Sequence, residues 1–257
     1  LCVKLNRRRS LGFEEQRQYR AAWQARPRIA HAAAAAVGPL DVFRDAERFF
    51  DLEQYERARL HAEAAFDALH ALHFPYRYSW NAASHSVVPW SFALLERHAR
   101  EPGPLDDLYG DVFERGELAK RLPDAEFIGF SLAFPSQIPE AIRLARRLRA
   151  LAPRAFLALG GPSIHQVAIH LEDDLKLALL DAVDGIGLFE GEKLLEELLP
   201  RLPQWSASRD NSLLADVPNL LLRDPSTGRP RQGPRWMLDL RESPPPDPAG
   251  LDLDRYL

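Results

Sequence analysis

Between Glu126 and Pro200 the spacing of apolar positions alternates between three short-strand runs and two helical stripes. Glu126-Phe127-Ile128-Gly129-Phe130-Ser131-Leu132 is a short apolar run ending near a small hydroxyl residue, the composition of a buried parallel strand at its carboxyl edge. Ala133-Phe134-Pro135-Ser136 turns the chain. From Gln137 to Ala152 apolar residues recur at Ile138, Ile142, Ala145, Leu148 and Leu151, with Arg143, Arg146, Arg147 and Arg149 in the other positions. That spacing predicts a helix with one buried stripe, stopped by Pro153. Ala155 to Leu159 predicts the next strand, followed by Gly160-Gly161-Pro162-Ser163, where backbone either approaches something closely or takes positive φ. The pattern then repeats, with Ala182 to Leu188 as a strand, Phe189-Glu190-Gly191-Glu192 as the bend and Lys193 to Leu202 as a helix. Alternating strands and helices of this size predict an α/β fold, a doubly wound, mainly parallel sheet with helices on both faces. Ligands in such sheets bind beyond the carboxyl ends of the strands, which here means the loops Ser131 to Gln137, Gly160 to Ile164 and Phe189 to Glu192.

The flanking regions differ in kind. Phe13 to Val37 and Asp41 to Leu72 are rich in Ala, Arg, Glu and Leu, which predicts two or three packing helices. His73-Phe74-Pro75-Tyr76-Arg77-Tyr78-Ser79-Trp80 is aromatic and broken by proline, either a loop lining a core or a wall of the ligand site. Leu105 to Lys120 reads as a further helical stretch. Ten of the 21 prolines lie from Pro200 onward, so that part is expected to be extended or turning chain. Within it, Val217 to Arg223 predicts a strand and Asp224 to Pro230 its turn, a hairpin or edge strand. The divisions are a helical part at 1–120 with an edge strand at 1–6, an α/β core at 121–223 and a proline-rich linker at 224–257.

Composition narrows the function. At 257 residues, 46% of them hydrophobic, the chain can bury a sizeable core, and a formal charge of -4 gives no footing for a nucleic-acid surface. Lys4 to Arg9 is a local basic cluster of a solvated terminus. No apolar run approaches the roughly 20 residues of a membrane span, and the expected compartment is the cytoplasm. The single cysteine, Cys2, allows neither an internal disulfide nor a cysteine-ligated iron–sulfur cluster built by this chain alone. The eight histidines are scattered, and His165 with His170 fits no common helical metal pair.

Ile128-Gly129-Phe130-Ser131, Gly160-Gly161-Pro162, the stretch from Asp184 ending Glu190-Gly191-Glu192, Val217-Pro218-Asn219-Leu220, and the closing Pro-Pro-Asp and Leu-Asp-Leu-Asp-x-Tyr run occur in the order seen in cobalamin-binding radical S-adenosylmethionine enzymes. From Phe74 onward the chain resembles their N-terminal cobalamin-binding domain, a Rossmann/flavodoxin-like sheet, together with the linker into the radical domain. The resemblance implies cobalamin across the carboxyl edge of the sheet. Ser131, Leu132, Ala133 and Gln137 would lie beside the corrin, and Gly160, Gly161, Pro162 and Ser163 against the nucleotide tail. Phe189, Glu190, Gly191 and Glu192 would lie on the ribose and phosphate side. The glycines would admit backbone N–H groups to a bulky ligand, and the helix starting near Glu192 would present donors to phosphate. Glu190 and Glu192 suit hydroxyl or amide contacts better, or serve as helix-capping acids.

Two departures shape the expectation. The Asp-x-His-x-x-Gly signature of histidine-ligated cobalamin proteins is absent, the nearest approach being Asp67-Ala68-Leu69-His70, so histidine ligation of cobalt is not expected. The family's CxxxCxxC loop, which holds a four-iron four-sulfur cluster and S-adenosylmethionine, would begin just after Tyr256, and Leu1 to Asn6 resembles the second strand of the family's sheet. The chain is therefore expected to be a fragment, not catalytic alone and served by a radical domain in cis or in trans. The whole enzyme would methylate or rearrange an unreactive carbon, as in peptide or natural-product maturation. Against this stands a non-catalytic α/β binding or scaffold protein without the cofactor. A nucleotide-dependent transferase ranks last, because no GxxxxGK[ST] motif is present.

Overall fold

In the computed structural model the described residues are 39–241, apart from 75, 82, 86–94, 96–97, 102, 104 and 240, together with 16, 19–20 and 22–24. The edge strand expected at 1–6, most of the helix expected at 13–37 and the linker beyond 241 lie outside them. The chain divides into two compact units, residues 1–95 with 102–104, and residues 96–101 with 105–257.

The first unit begins with a 3-10 turn at Pro39–Arg44. It continues with α1 (Ala46–Phe49) and α2 (Leu52–Leu72), each opened by an aspartate whose carboxylate accepts two backbone N–H groups, Asp45 from Glu47 and Arg48, and Asp51 from Glu53 and Gln54. Phe43 meets Trp80 edge-on at 4.9 Å, and Trp80 meets Phe66 at 5.5 Å. The aromatic segment that follows is not a plain loop: β1 (Tyr76–Tyr78) pairs antiparallel with β2 (Ala83–His85), and Tyr76 is buried.

The second unit contains the sheet. It opens with α3 (Asp106–Gly110), a π-helical turn at Asp111–Arg115 and 3-10 turns at Glu117–Lys120 and Leu122–Asp124. Residues 105–120 thus share a unit with the sheet rather than with the N-terminal helices. Five strands follow in chain order across one mixed sheet: β3 (Phe127–Ser131), β4 (Phe156–Gly160), β5 (Gly185–Gly187), β6 (Leu220–Arg223) and β7 (Pro230–Gln232). The pairs β3–β4 and β4–β5 are parallel, whereas β5–β6 and β6–β7 are antiparallel. The fold is α/β as expected, and the sheet is mixed because the chain returns to β6 through turns that reverse its direction.

Between the strands run α4 (Ile138–Leu151), α5 (Pro162–Ala168), α6 (Asp173–Leu180), α7 (Glu192–Leu198) and α8 (Leu202–Ser208). The alternation of the strands decides where the core sits, because successive side chains point to opposite faces. Phe156, Ala158, Leu220 and Leu222 share one face with Leu194 and Leu198 of α7 and with Leu202 and Trp205 of α8. Leu157, Leu159, Ile186 and Leu221 belong to the other face and are equally buried. So β4 is buried on both faces, which explains its unbroken apolar run.

Two expectations need correction here. The region after Pro200 does add a helical layer, since α8 and a 3-10 turn at Asn211–Leu214 bury Leu202, Trp205 and Leu214. Pro200 and Pro203 fall in the first turns of their helices, where a missing N–H costs nothing. Arg143, on the polar side of the predicted stripe, is buried: its guanidinium donates to the His98 carbonyl at 2.6 Å and stands 3.9 Å from Glu140. Glu140 in turn accepts from the Tyr109 hydroxyl at 2.9 Å and meets His98 Nε2 at 2.7 Å. Burial, then the Glu140 charge, pushes the Tyr109 phenol well above its usual range. Among the described residues no helix is long and apolar enough to cross a membrane.

Candidate functional site

A cleft of about 360 Å³ opens at the carboxyl ends of β3, β4 and β5, on the face that carries α7. The registers explain why space remains there. Ser131 lies opposite Gly160, and Gly187 continues the same row on β5, one step beyond the pairs Ala158–Gly185 and Leu159–Ile186. This last row of the parallel strands therefore has almost no side chains. One row lower, the gaps at Gly129 and Gly185 are filled by neighbours: a Cβ on Gly129 would come within 2.9 Å of the Phe127 ring, and one on Gly185 within 2.8 Å of both Leu220 and Phe156. Large residues below and missing ones above make a floor and an opening.

The walls come from the β5–α7 loop, Leu188, Phe189 and Gly191, and from Leu194 and Leu195 of α7. Among the described residues the lining carries one polar side chain, the Ser131 hydroxyl, and no ionisable group. Such a surface binds flat or apolar matter and orients it through one hydroxyl and exposed glycine backbone. It supplies no general acid or base.

The glycines serve different purposes. Gly161 has φ +97°, and a Cβ there would fall 2.7 Å from the Leu132 nitrogen and 2.8 Å from its oxygen. It lets the β4–α5 loop pack on the end of β3, where Leu132 N–H donates to Gly160 at 2.8 Å and the Leu132 carbonyl accepts from Ser163 N–H at 3.0 Å. Gly160 and Gly191 are open instead: the nearest atom to a Cβ on Gly160 is 4.0 Å away, and nothing lies within 4 Å of one on Gly191.

Of the residues expected at a ligand, Ser131, Gly160, Gly161, Phe189 and Gly191 line the cleft. The others do not. Leu132 is buried, and Ser163 is buried with its hydroxyl donating to the Ala133 carbonyl at 2.8 Å. Gln137 uses its side-chain oxygen to accept from the N–H groups of Ala133 and Phe134, at 2.9 and 3.0 Å, so it shapes the β3–α4 loop. Ala133 and Pro162 are exposed outside the lining, and Glu192 opens α7 at the surface. Glu190 lies between two lining residues; among the described residues its buried Oε2 has no hydrogen-bond partner.

The sequence matches no protein-family model, curated protein or solved structure.

Residues outside the expected loops brace the cleft wall. Phe189 has φ 57°, a left-handed conformation that is strained for a bulky side chain. Its N–H donates to His165 Nδ1 at 3.3 Å, and the two rings lie 4.5 Å apart. That bond makes His165 a brace for the wall, and among the described residues no cluster of His, Cys, Asp and Glu could hold a metal ion. Asn219 is fully buried with φ 59°; its amide donates to the carbonyls of Glu190 at 3.0 Å and Trp236 at 2.9 Å, and its oxygen accepts from Trp236 N–H at 2.8 Å. Trp236 follows Arg235, whose guanidinium covers the Phe189 ring. An αL asparagine ahead of an apolar strand was the available sequence signal for Asn219.

Proposed function

We propose that this chain binds cobalamin at the carboxyl edge of its sheet, as the cofactor-carrying domain of a radical S-adenosylmethionine enzyme with a Rossmann/flavodoxin-like core. The observation that carries this reading is the apolar cleft lined by Ser131, Gly160, Gly187 and Gly191, open at Gly160 and Gly191 and set between the loops that bear the resemblance. The residues present fit the group. Gly160 and Gly191 leave a cradle that side chains would fill, and the orphaned Glu190 oxygen suits a donor such as a ribose hydroxyl or a corrin side-chain amide.

In this reading the corrin lies beside Ser131 and the nucleotide end of the cofactor enters the cleft toward Gly160 and Gly191. Leu194, Leu195 and Leu220 exclude water from it, and Ser131 offers a hydroxyl for orientation. Bound cobalamin supplies a methyl carrier for a carbon that ordinary nucleophiles do not reach. With Cys2 as its only cysteine, this chain leaves the cluster that cleaves S-adenosylmethionine to a radical domain, in cis or in trans. The reaction so assembled is methylation or rearrangement of an unreactive carbon, as in peptide or natural-product maturation.

The test is the visible spectrum of the purified chain after incubation with hydroxocobalamin and desalting, beside a Gly160→Phe variant. Gly160 is the right position because its Cβ points into open space, whereas any side chain at Gly161 strikes Leu132. Retained corrin bands in the parent and their loss from a folded Gly160→Phe are expected. A folded parent without bands sinks the assignment and leaves the cleft to another apolar ligand or to a scaffold role.

A further inference from the structure

The chain that follows β7 brings a cation to the cleft wall. We propose that Arg235 receives the anionic group of the ligand's tail, the phosphodiester of a complete cobalamin; this rests on the corrinoid reading above. The Arg235 guanidinium carbon stands 4.5 Å from the centre of the Phe189 ring, and Phe189 lines the cleft. The segment that carries it is anchored on both sides. The Pro234 carbonyl accepts from Asn219 N–H at 2.9 Å, and Trp236 exchanges two hydrogen bonds with the Asn219 side chain. The same amide holds the Glu190 carbonyl, so one buried residue fixes both the arginine's segment and the strained loop beneath it.

What Arg235 lacks is an acid. Among the described residues its guanidinium makes one side-chain hydrogen bond, to the Met237 thioether at 3.2 Å, and no ion pair. A thioether is a weak acceptor, so the charge-assisted donors of the exposed fork are left for something else. Stacking on an aromatic ring covers the face of a guanidinium and leaves its N–H edge free, the edge that matches a phosphate. Since among the described residues the lining itself contains no ionisable side chain, an anion that leaves the cleft past Phe189 meets this cation at the wall.

Two corrinoids separate this claim from the reading beneath it: hydroxocobalamin, which carries the phosphodiester, and dicyanocobinamide, which ends before it. Dissociation constants are measured for both with the parent, Arg235→Gln and Arg235→Lys, with thermal unfolding as the check on folding. Arg235→Gln is expected to weaken hydroxocobalamin about tenfold and leave dicyanocobinamide unchanged. Arg235→Lys is expected to recover part of the loss, and the parent's preference for hydroxocobalamin to shrink as salt is raised. Equal losses for both corrinoids, or no loss for either, overturn the role of Arg235 while leaving the cleft as a corrinoid site. A parent that binds neither corrinoid overturns both.

Discussion

Adjacent glycines in the β4–α5 loop carry opposite instructions. Gly161 holds a backbone conformation open almost only to glycine, with φ +97° and ψ 168°, and a Cβ there would collide with the Leu132 backbone. Gly161→Ala is expected to destabilise the fold by at least the roughly 1–3 kcal/mol that such backbone strain costs, whereas Gly160→Ala leaves the unfolding midpoint nearly unmoved; chemical denaturation of the two variants decides this. Gly233 is more constrained by space than either, since a Cβ there would lie 2.0 Å from the Val217 carbonyl oxygen. Asn219 is the polar counterpart. Asn219→Ala would strand the Glu190 carbonyl and both backbone groups of Trp236, and each buried unpaired group costs about 1–3 kcal/mol. The expected result is a loss above about 3 kcal/mol in urea unfolding, with faster proteolytic cleavage at 233–237 while the sheet core stays protected.

At the level of elements, much was legible. The period of α4 placed its buried stripe at Ile138, Ile142, Ala145, Leu148 and Leu151, of which the first four are buried and Leu151 half-buried, and Leu148→Ala is expected to cost about 2–5 kcal/mol in thermal unfolding. The strands β3, β4 and β5 stand out as short apolar runs that end in small residues, and so do the loops after them. Less could be read where a partner distant in sequence decides. Arg143 is at a polar position of the helical period, but the segment bearing His98 covers it, and no local pattern reports that. The direction of β6 depends on how the chain returns after α8, and composition is the same for either sense. Prolines at 200 and 203 suggested extended chain, yet a proline in a first turn is compatible with helix, and Trp205 behind them supplies the burial. The β6–β7 turn adds a pH signature. Asp224 accepts from the Ser226 hydroxyl and from the N–H groups of Thr227 and Ser226, and meets Arg231 at 3.3 Å; these hold its carboxyl well below the usual carboxylate range. A depressed folded-state value means that the stabilisation is complete above pH about 4, where the unfolded carboxylate ionises, and is lost as acid protonates the folded one. Acid unfolding of the parent should therefore show a pH dependence below that point which Asp224→Asn reduces, and equal slopes would refute it.

For the molecule as a whole, the decisive trait is that the cleft arises from side chains left out rather than put in. Stability and occupancy then pull in opposite directions at Gly160. A larger apolar residue there would occupy the cleft, whose lining includes the exposed Leu195 and half-buried Phe189 side chains, and apolar surface removed from water stabilises by roughly 25 cal/mol per Å². Gly160→Leu is thus expected to raise the melting temperature while abolishing ligand retention, measured side by side on one preparation. Without selection for a ligand such a position is free to accept a side chain, since a Cβ meets no close neighbour there and cavity-filling replacements commonly stabilise. Keeping Gly160 and Gly191 free of side chains thus forgoes a little apolar burial for the sake of an opening, and on the proposed reading related chains without the ligand are expected to carry a side chain first at Gly160.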